Sequence, residues 1–279
     1  MHRMGVTMAD GCRAFSQTVE WGGALLVFAV LAVLVLRGRP HWNGRQAAKQ
    51  ALIVATGLVV YFGVRHLTVG DELPALQHAR DLFDFEQALS IAREGAIQDA
   101  FGGSLCAFRM LNWVYIWWHW PVILMAAVWL FLWHRPAFYR YRNAMLISGG
   151  IGLIVFATYP VAPPRLVPEL NLIDTVSEHS TSYRVLQPKA FTAQYAAMPS
   201  LHFGWNLLIG VAMVRTGRGL LRTAGVVMPL AMLLAIVATA NHFIIDAVAG
   251  GTLALLGLVI ATHAPPLTAR LRAYAARYA

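Results

Sequence analysis

The chain has 279 residues, of which 58% are hydrophobic and 13% are charged. Soluble domains average ~45–50% apolar and ~25% charged residues, so this composition excludes an ordinary soluble domain and indicates an integral membrane protein. The formal net charge of +9 at pH 7 does not indicate a nucleic-acid partner, because the basic residues form short clusters between apolar runs, as they do in membrane proteins.

Several apolar segments are predicted to be transmembrane helices, since about 20 apolar residues cross the hydrocarbon core of a bilayer. They cover approximately residues 21–36, 50–69, 107–133, 143–160, 199–214, 223–240 and 242–262. The first is followed by Arg37-Gly38-Arg39-Pro40 instead of a small-residue cleavage site, so we expect a retained helix and not a signal peptide. Pro121 is expected to kink the third span. The predicted fold is an all-α polytopic membrane helix bundle.

The stretch from residue 71 to residue 105, called the amphipathic segment below, is polar and acidic but repeats apolar residues at helical spacings. We expect amphipathic helices that lie on the membrane surface or form a lid over a site. Its polar residues Glu86, Glu94 and Gln98 are candidates for binding the hydroxyl groups of a sugar or inositol. The alternative is that they form the solvated side of interfacial helices.

A polar stripe is predicted on the third span. Asn112, Tyr115 and His119 are spaced by three and four residues, so they share one helical face. Such a stripe can line a cavity for a lipid headgroup or acceptor. Hydrogen bonding between neighbouring helices explains it equally well.

The distribution of basic residues predicts the orientation in the membrane. Clusters of Lys and Arg without any Asp or Glu occupy residues 37–49, 134–142, 215–222 and 264–279. Basic loops lie preferentially in the cytoplasm, so these segments are assigned there and the opposite ends of the helices face outward. We expect an outward N-terminus, a cytoplasmic C-terminus and location in the plasma membrane.

Two motifs containing histidine stand where apolar segments begin. The first is Pro199-Ser200-Leu201-His202, and the second is His242-Phe243-Ile244-Ile245-Asp246. Ionisable residues at membrane depth are costly and usually mark a functional site. Pro199 suits the first turn of a helix, whose free N–H groups form a ready anion site. Asn241 is a predicted N-cap, and a carboxylate at i+4 can orient the His242 imidazole.

These motifs, in this order, resemble the membrane branch of the type 2 phosphatidic acid phosphatase superfamily, over roughly residues 50–262. The stretch from Tyr159 to Arg165, with the sequence YPVAPPR, makes the chain most similar to the inositol phosphorylceramide synthase branch. The resemblance implies that His242 attacks phosphorus, that Asp246 orients it and that His202 protonates the leaving oxygen.

Phosphoryl transfer also needs cations or N–H groups around the phosphate oxygens. Arg165 is the first candidate, because Pro163 and Pro164 stiffen its approach; the alternative is an interfacial arginine that snorkels. Ser200 is a further candidate, at the predicted anion site. Arg184 and Lys189 follow in the same loop, with a solvated loop as the alternative. Cys12 and Cys106 lack metal-ligand spacing, and apart from His202, His242 and Asp246 no other cluster has it, so we expect no metal and no cofactor.

Two elements of the ordinary phosphatases are missing from this sequence. The Lys-x6-Arg-Pro element is absent, and Ile236 stands where those enzymes place an arginine before the second histidine. The expected function is therefore transfer of a phosphoryl-linked group from a lipid donor to an alcohol. A lipid phosphatase is the alternative enzyme, and a transporter or structural membrane protein is the alternative outside enzymes. We divide the chain into an N-terminal segment (1–49), a catalytic membrane domain (50–262) and a basic tail (263–279).

Overall fold

The computed structural model describes residues 44–67, 71–175 and 194–263, together with the isolated helical positions 29 and 33. The predicted first span, apart from those two positions, lies outside the described residues. So do the candidates Arg184 and Lys189, residue Cys12, and the basic tail from residue 264 onward.

The described residues are mainly α-helical, and the longest connection between the described helices runs from residue 159 to residue 200. The helices are α1 (Gly44–Leu67), α2 (Glu72–Ala88), α3 (Glu94–Asp99), α4 (Leu105–Trp117), α5 (Trp120–Trp133), α6 (Arg135–Thr158), α7 (Leu201–Thr216), α8 (Leu220–Ala238) and α9 (Ile244–His263). Two 3-10 turns, Pro164–Leu166 and Pro168–Leu170, follow α6. Within this part of the chain the extended pairing is limited to an isolated bridge between Val161 and Ala196. The predicted all-α fold is confirmed.

Four described helices are long and apolar enough to cross a bilayer: α1, α6, α8 and α9. Helices α4 and α5 form a fifth span if they are counted together, although they meet at an angle of 42°. The predicted third span is therefore broken, and Pro121 lies in the first turn of α5, where a proline costs no intrahelical hydrogen bond. The predicted fifth span corresponds to α7, which has 16 residues and is shorter than a full crossing.

Helix α7 is the centre of the bundle and packs against α6, α8 and α9. Small residues allow two of these contacts to be close. A Cβ atom on Gly204 would lie 2.4 Å from the carbonyl oxygen of Gly250 in α9, and one on Gly210 would lie 2.4 Å from that of Gly225 in α8. Close backbone approach of this kind is how helices gain packing energy in a membrane. It brings the N-terminal ends of α7 and α9 side by side.

The amphipathic segment is docked onto the bundle. Ala75, Ala79 and Leu82 form the buried face of α2, as the helical spacing predicts. The backbone of Ala162 donates a hydrogen bond to the Ala75 carbonyl (3.0 Å). His78 donates through Nδ1 to the Pro160 carbonyl (2.8 Å). Helix α2 is thereby fixed to the chain that leaves α6.

Candidate active site

The two predicted catalytic histidines lie together, with ring centroids 5.9 Å apart. His202 is the second residue of α7. The N-cap of that helix is Ser200, whose Oγ accepts a hydrogen bond from the Phe203 backbone (3.4 Å). Pro199 therefore precedes the helix, and the prediction that it lies within the first turn is wrong. A serine oxygen can satisfy one of the free N–H groups at the helix start, which a proline side chain cannot do.

His242 lies in the turn before α9, which begins at Ile244. The prediction that Asn241 is the N-cap is wrong. Its Nδ2 donates to Thr239 Oγ1 (2.6 Å) and its Oδ1 accepts from Arg165. Carboxylates take the free N–H groups of α9 instead, and Asp246 Oδ2 accepts from the Phe243 backbone (2.9 Å). A carboxylate interacts favourably with the positive end of a helix dipole, so it competes well with a neutral amide.

The tautomer of His242 follows from its hydrogen bonds. Nδ1 lies 2.8 Å from the carbonyl oxygen of Ala197 and 3.5 Å from Asp246 Oδ2. Because a carbonyl oxygen can only accept, Nδ1 carries the proton and Nε2 keeps a free lone pair. Asp246 was predicted to orient this ring; the structure adds the Ala197 carbonyl as the nearer acceptor. Sequence patterns missed it because a backbone carbonyl has no residue signature.

Asp246 also joins the two motifs through its backbone. Its carbonyl oxygen accepts from the Ser200 backbone N–H (2.9 Å), and its side chain is fully buried. The residue therefore contacts the start of α7, the turn before α9 and the His242 ring. The Ser200 Oγ, a predicted phosphate ligand, is buried and caps α7 in this arrangement.

Two members of the predicted polar stripe contact His202. The rings of Tyr115 and His119 lie with their centroids 4.4 Å and 4.1 Å from that of His202. His119 is also parallel to Trp205, with 5.9 Å between centroids. Asn112 is separate from this group, because its Nδ2 donates to the Thr175 carbonyl (2.9 Å). The stripe thus contains an aromatic support for His202 and a hydrogen bond to the loop after α6.

Arg165 lies beside the second motif. Its backbone N–H donates to the Ala240 carbonyl (3.0 Å), and its guanidinium donates to Asn241. Nε lies 3.4 Å from Asp174 Oδ1, and the side chain is largely buried. The interpretation as a snorkelling interfacial arginine does not describe this placement. The guanidinium is held next to the residue that precedes His242.

Glu86, Glu94 and Gln98 are buried, so the interpretation as a solvated helix face is wrong. Gln98 donates to the Ala238 and Ile173 carbonyls at 3.2 Å and 3.1 Å. The two glutamates accept backbone N–H groups from the start of α9. The helical spacing of apolar residues could have revealed that Glu86 is buried, because Glu86 lies one turn beyond Leu82 on the buried face of α2.

An apolar cavity of about 310 Å³ lies between α1, α5, α6 and α7. Its lining includes Trp120 and Trp205, whose rings also contact His119. Arg142 lines the cavity as well. The two tryptophan rings that line this hydrophobic space therefore contact His119, which in turn contacts His202. Among the residues that the structure describes, no group of three or more His, Cys, Asp or Glu side chains is arranged to hold a metal ion.

The fold and the site together define a class: an all-α integral membrane protein in which two helix starts bring a histidine pair, a carboxylate and an arginine together. Residues 80–260 match the family model described as "PAP2 superfamily". The chain belongs to this superfamily, that of the type 2 phosphatidic acid phosphatases. Membership in the superfamily indicates lipid phosphatase or phosphotransferase activity. The curated proteins and the solved structures gave no match.

Proposed function

We propose that the protein is a membrane-embedded phosphotransferase that moves a phosphoryl-linked headgroup from a lipid donor to an alcohol acceptor, in the manner of an inositol phosphorylceramide synthase. The observation that carries this proposal is the hydrogen bonding of the His242 ring and its distance from His202. Its Nδ1–H is held by the Ala197 carbonyl, which leaves Nε2 as a nucleophile, with the His202 ring 5.9 Å away. One phosphoryl group can contact both rings at this separation.

The reaction then has two balanced steps. In the first, His242 Nε2 forms a bond to phosphorus while the bond to the oxygen of the lipid alcohol breaks, and protonated His202 gives its proton to that oxygen. In the second, the acceptor hydroxyl gives its proton to His202 and attacks phosphorus, and the phosphorus–nitrogen bond breaks. His202 thus serves first as acid and then as base. The phosphohistidine exists between the two steps.

Arg165 is the proposed cation for the phosphate oxygens. Its guanidinium is held by Asn241, next to His242, and by Asp174. A positively charged donor fixed in place before the reaction stabilises developing negative charge without reorganisation. Arg184 and Lys189 remain candidates in the adjoining loop, and the neighbours of His202, Tyr115 and His119, are the candidates closest to an incoming acceptor.

A lipid donor and an alcohol acceptor are supported by two features. The apolar cavity between α1, α5, α6 and α7, whose lining residues Trp120 and Trp205 contact His119, offers space for a hydrocarbon chain. His242 is only 5% exposed, and Ile236 is fully buried where ordinary phosphatases have an arginine. Exclusion of water protects a phosphohistidine until a positioned hydroxyl reacts with it. By the positive-inside rule, we place the site on the extracytoplasmic face of the plasma membrane.

The test is a product analysis with purified protein in lipid nanodiscs. Labelled phospholipid donors are mixed with diacylglycerol, ceramide, polyprenol or inositol acceptors, and the products are identified by mass spectrometry. We expect a new phosphodiester lipid with wild-type protein and with His134→Ala, a histidine variant away from the site, and none with His242→Ala. If inorganic phosphate is the only phosphorus product with every acceptor, the protein is a lipid phosphatase that uses the same histidines.

A further inference from the structure

Two carboxyl groups from the amphipathic segment meet at the start of α9. Glu86 Oε1 accepts from the Ile245 backbone N–H (2.6 Å), and Glu94 Oε1 accepts from the Ile244 backbone N–H (3.0 Å). Asp246 accepts from the preceding N–H, that of Phe243. Three consecutive backbone N–H groups at the start of α9 therefore each donate a hydrogen bond to a carboxyl oxygen. Two of those oxygens come from residues more than a hundred positions earlier in the chain.

The Oε2 atoms of Glu86 and Glu94 indicate how two neighbouring carboxyl groups can both be buried. Glu86 is 0% exposed and Glu94 is 2% exposed, their carboxyl groups interact directly, and within the described residues no other group is hydrogen-bonded to either Oε2 atom. Two adjacent buried carboxylates cannot both be ionised at low cost. A single proton shared by the two carboxyl groups removes this repulsion.

We propose that Glu86 and Glu94, sharing one proton, form a clamp that holds the first turn of α9 and, through it, positions His242. They are positioning residues, since neither reaches the reacting atoms in this arrangement. The amphipathic segment is in that case a fixed part of the catalytic centre and not an independent lid. The use of turnover as a readout rests on the proposed function. The hydrogen bonds from Glu86 and Glu94 to the α9 backbone do not depend on it.

The stability that the clamp contributes depends on pH, and the pKa of Glu86 sets the direction. Burial, and then the hydrogen bond with Glu94, raise the pKa of Glu86 to about 8, and the nearby Glu94 and Asp246 charges act in the same direction, while the Ile245 N–H lowers it. The folded pKa lies above the ordinary value of 4.5. The folded protein therefore holds this proton more tightly than the unfolded chain does. Its contribution to stability is complete below pH 4.5 and is lost as the pH rises through about 8.

Three variants test the clamp. Glu86→Ala removes it, and Glu86→Gln imitates the protonated acid, because an amide can donate to Glu94 and accept from Ile245 without titrating. Asp84→Ala is the control, since this exposed carboxylate lies on the same helix. Each is measured by hydrogen exchange of the peptide that contains residues 243–246, as protection relative to the intrinsic rate, and by kcat and KM from pH 6 to 9.5.

We expect Glu86→Ala to lose protection at residues 243–246 and to lower kcat by roughly 100-fold with little change in KM, the effect of displacing a catalytic group by about 1 Å. Wild-type protein should lose protection above pH 8, whereas Glu86→Gln should keep it to pH 9.5 and retain most of the turnover. Wild-type protection in Glu86→Ala overturns the clamp. If Glu86→Ala does not fold, an alkaline loss in Glu86→Gln equal to that of wild type overturns it. If wild-type protein shows no turnover with any donor, the proposed function fails while the exchange data still decide the clamp.

Discussion

The contact between α7 and α9 gives the sharpest test of how the site is assembled. A Cβ atom added at Gly250 would lie 2.1 Å from the carbonyl oxygen of Ser200, and 2.7 Å and 3.0 Å from its carbonyl carbon and backbone nitrogen. All three atoms belong to the backbone, so no side-chain rotation can relieve the overlap. Gly250→Ala must therefore separate the two helices at the point where they bring His202 and His242 together.

The size of the effect follows from the overlap. Close carbon–oxygen contacts lie at about 3.3 Å, so the helices must move apart by roughly 1 Å. Overpacking of this kind costs about 1–3 kcal/mol of stability. A displacement of about 1 Å between catalytic groups lowers the rate by roughly 100-fold. We expect Gly250→Ala to fold and to retain about 1% of wild-type turnover.

Gly150→Ala is the matched control. Gly150 also lies in a membrane-spanning helix, and a Cβ atom there meets nothing within 4 Å. It should leave turnover unchanged and stabilise the helix by about 0.5–1 kcal/mol, because alanine loses less backbone entropy than glycine. Thermal unfolding in nanodiscs and lipid turnover are measured for both variants. Wild-type turnover in Gly250→Ala would refute the view that this contact sets the distance between the histidines.

Three further predictions concern chemistry and topology. His242→Ala should abolish both turnover and the acid-labile phosphoenzyme formed from labelled donor. Asp246→Asn should lower kcat by less than about 10⁴-fold, because the Ala197 carbonyl still holds the His242 ring. Equal losses in the two variants would contradict the view that Asp246 and the Ala197 carbonyl orient this ring together. Turnover should persist in chelator, and a loss that added divalent metal restores would contradict the metal-independent mechanism. On a cysteine-free background, Ala100→Cys should react with an impermeant thiol reagent in intact cells and Leu220→Cys should not; the reverse result would invert the topology.

The helical architecture was readable from the sequence because it depends on local periodicity. Apolar runs of sufficient length predicted the helices that became α1, α6, α8 and α9. The spacing of apolar residues predicted an amphipathic α2, but Glu86, which lies on its buried face, was interpreted as a hydroxyl ligand or as part of a solvated face. The two histidine motifs were visible because ionisable residues are rare in apolar segments. Where a local rule failed, at Asn241 and Pro199, a competing group had taken the helix start.

The composition of the site around each histidine depended on the tertiary structure. Periodicity shows which face of a helix is buried, but it does not show what covers that face. Glu86 and Glu94 meet the start of α9 across most of the chain, and Tyr115 and His119 contact His202, which lies in a different helix.

The sequence by itself determined a helical membrane protein of the PAP2 superfamily with His202, His242 and Asp246 as its candidate catalytic set. The tertiary structure alone decided the tautomer of His242, since the deciding acceptor is the Ala197 carbonyl, a group that every residue has. It also decided that the amphipathic segment caps α9. Both depend on contacts between distant segments of backbone, and such contacts are fixed only when the helices pack.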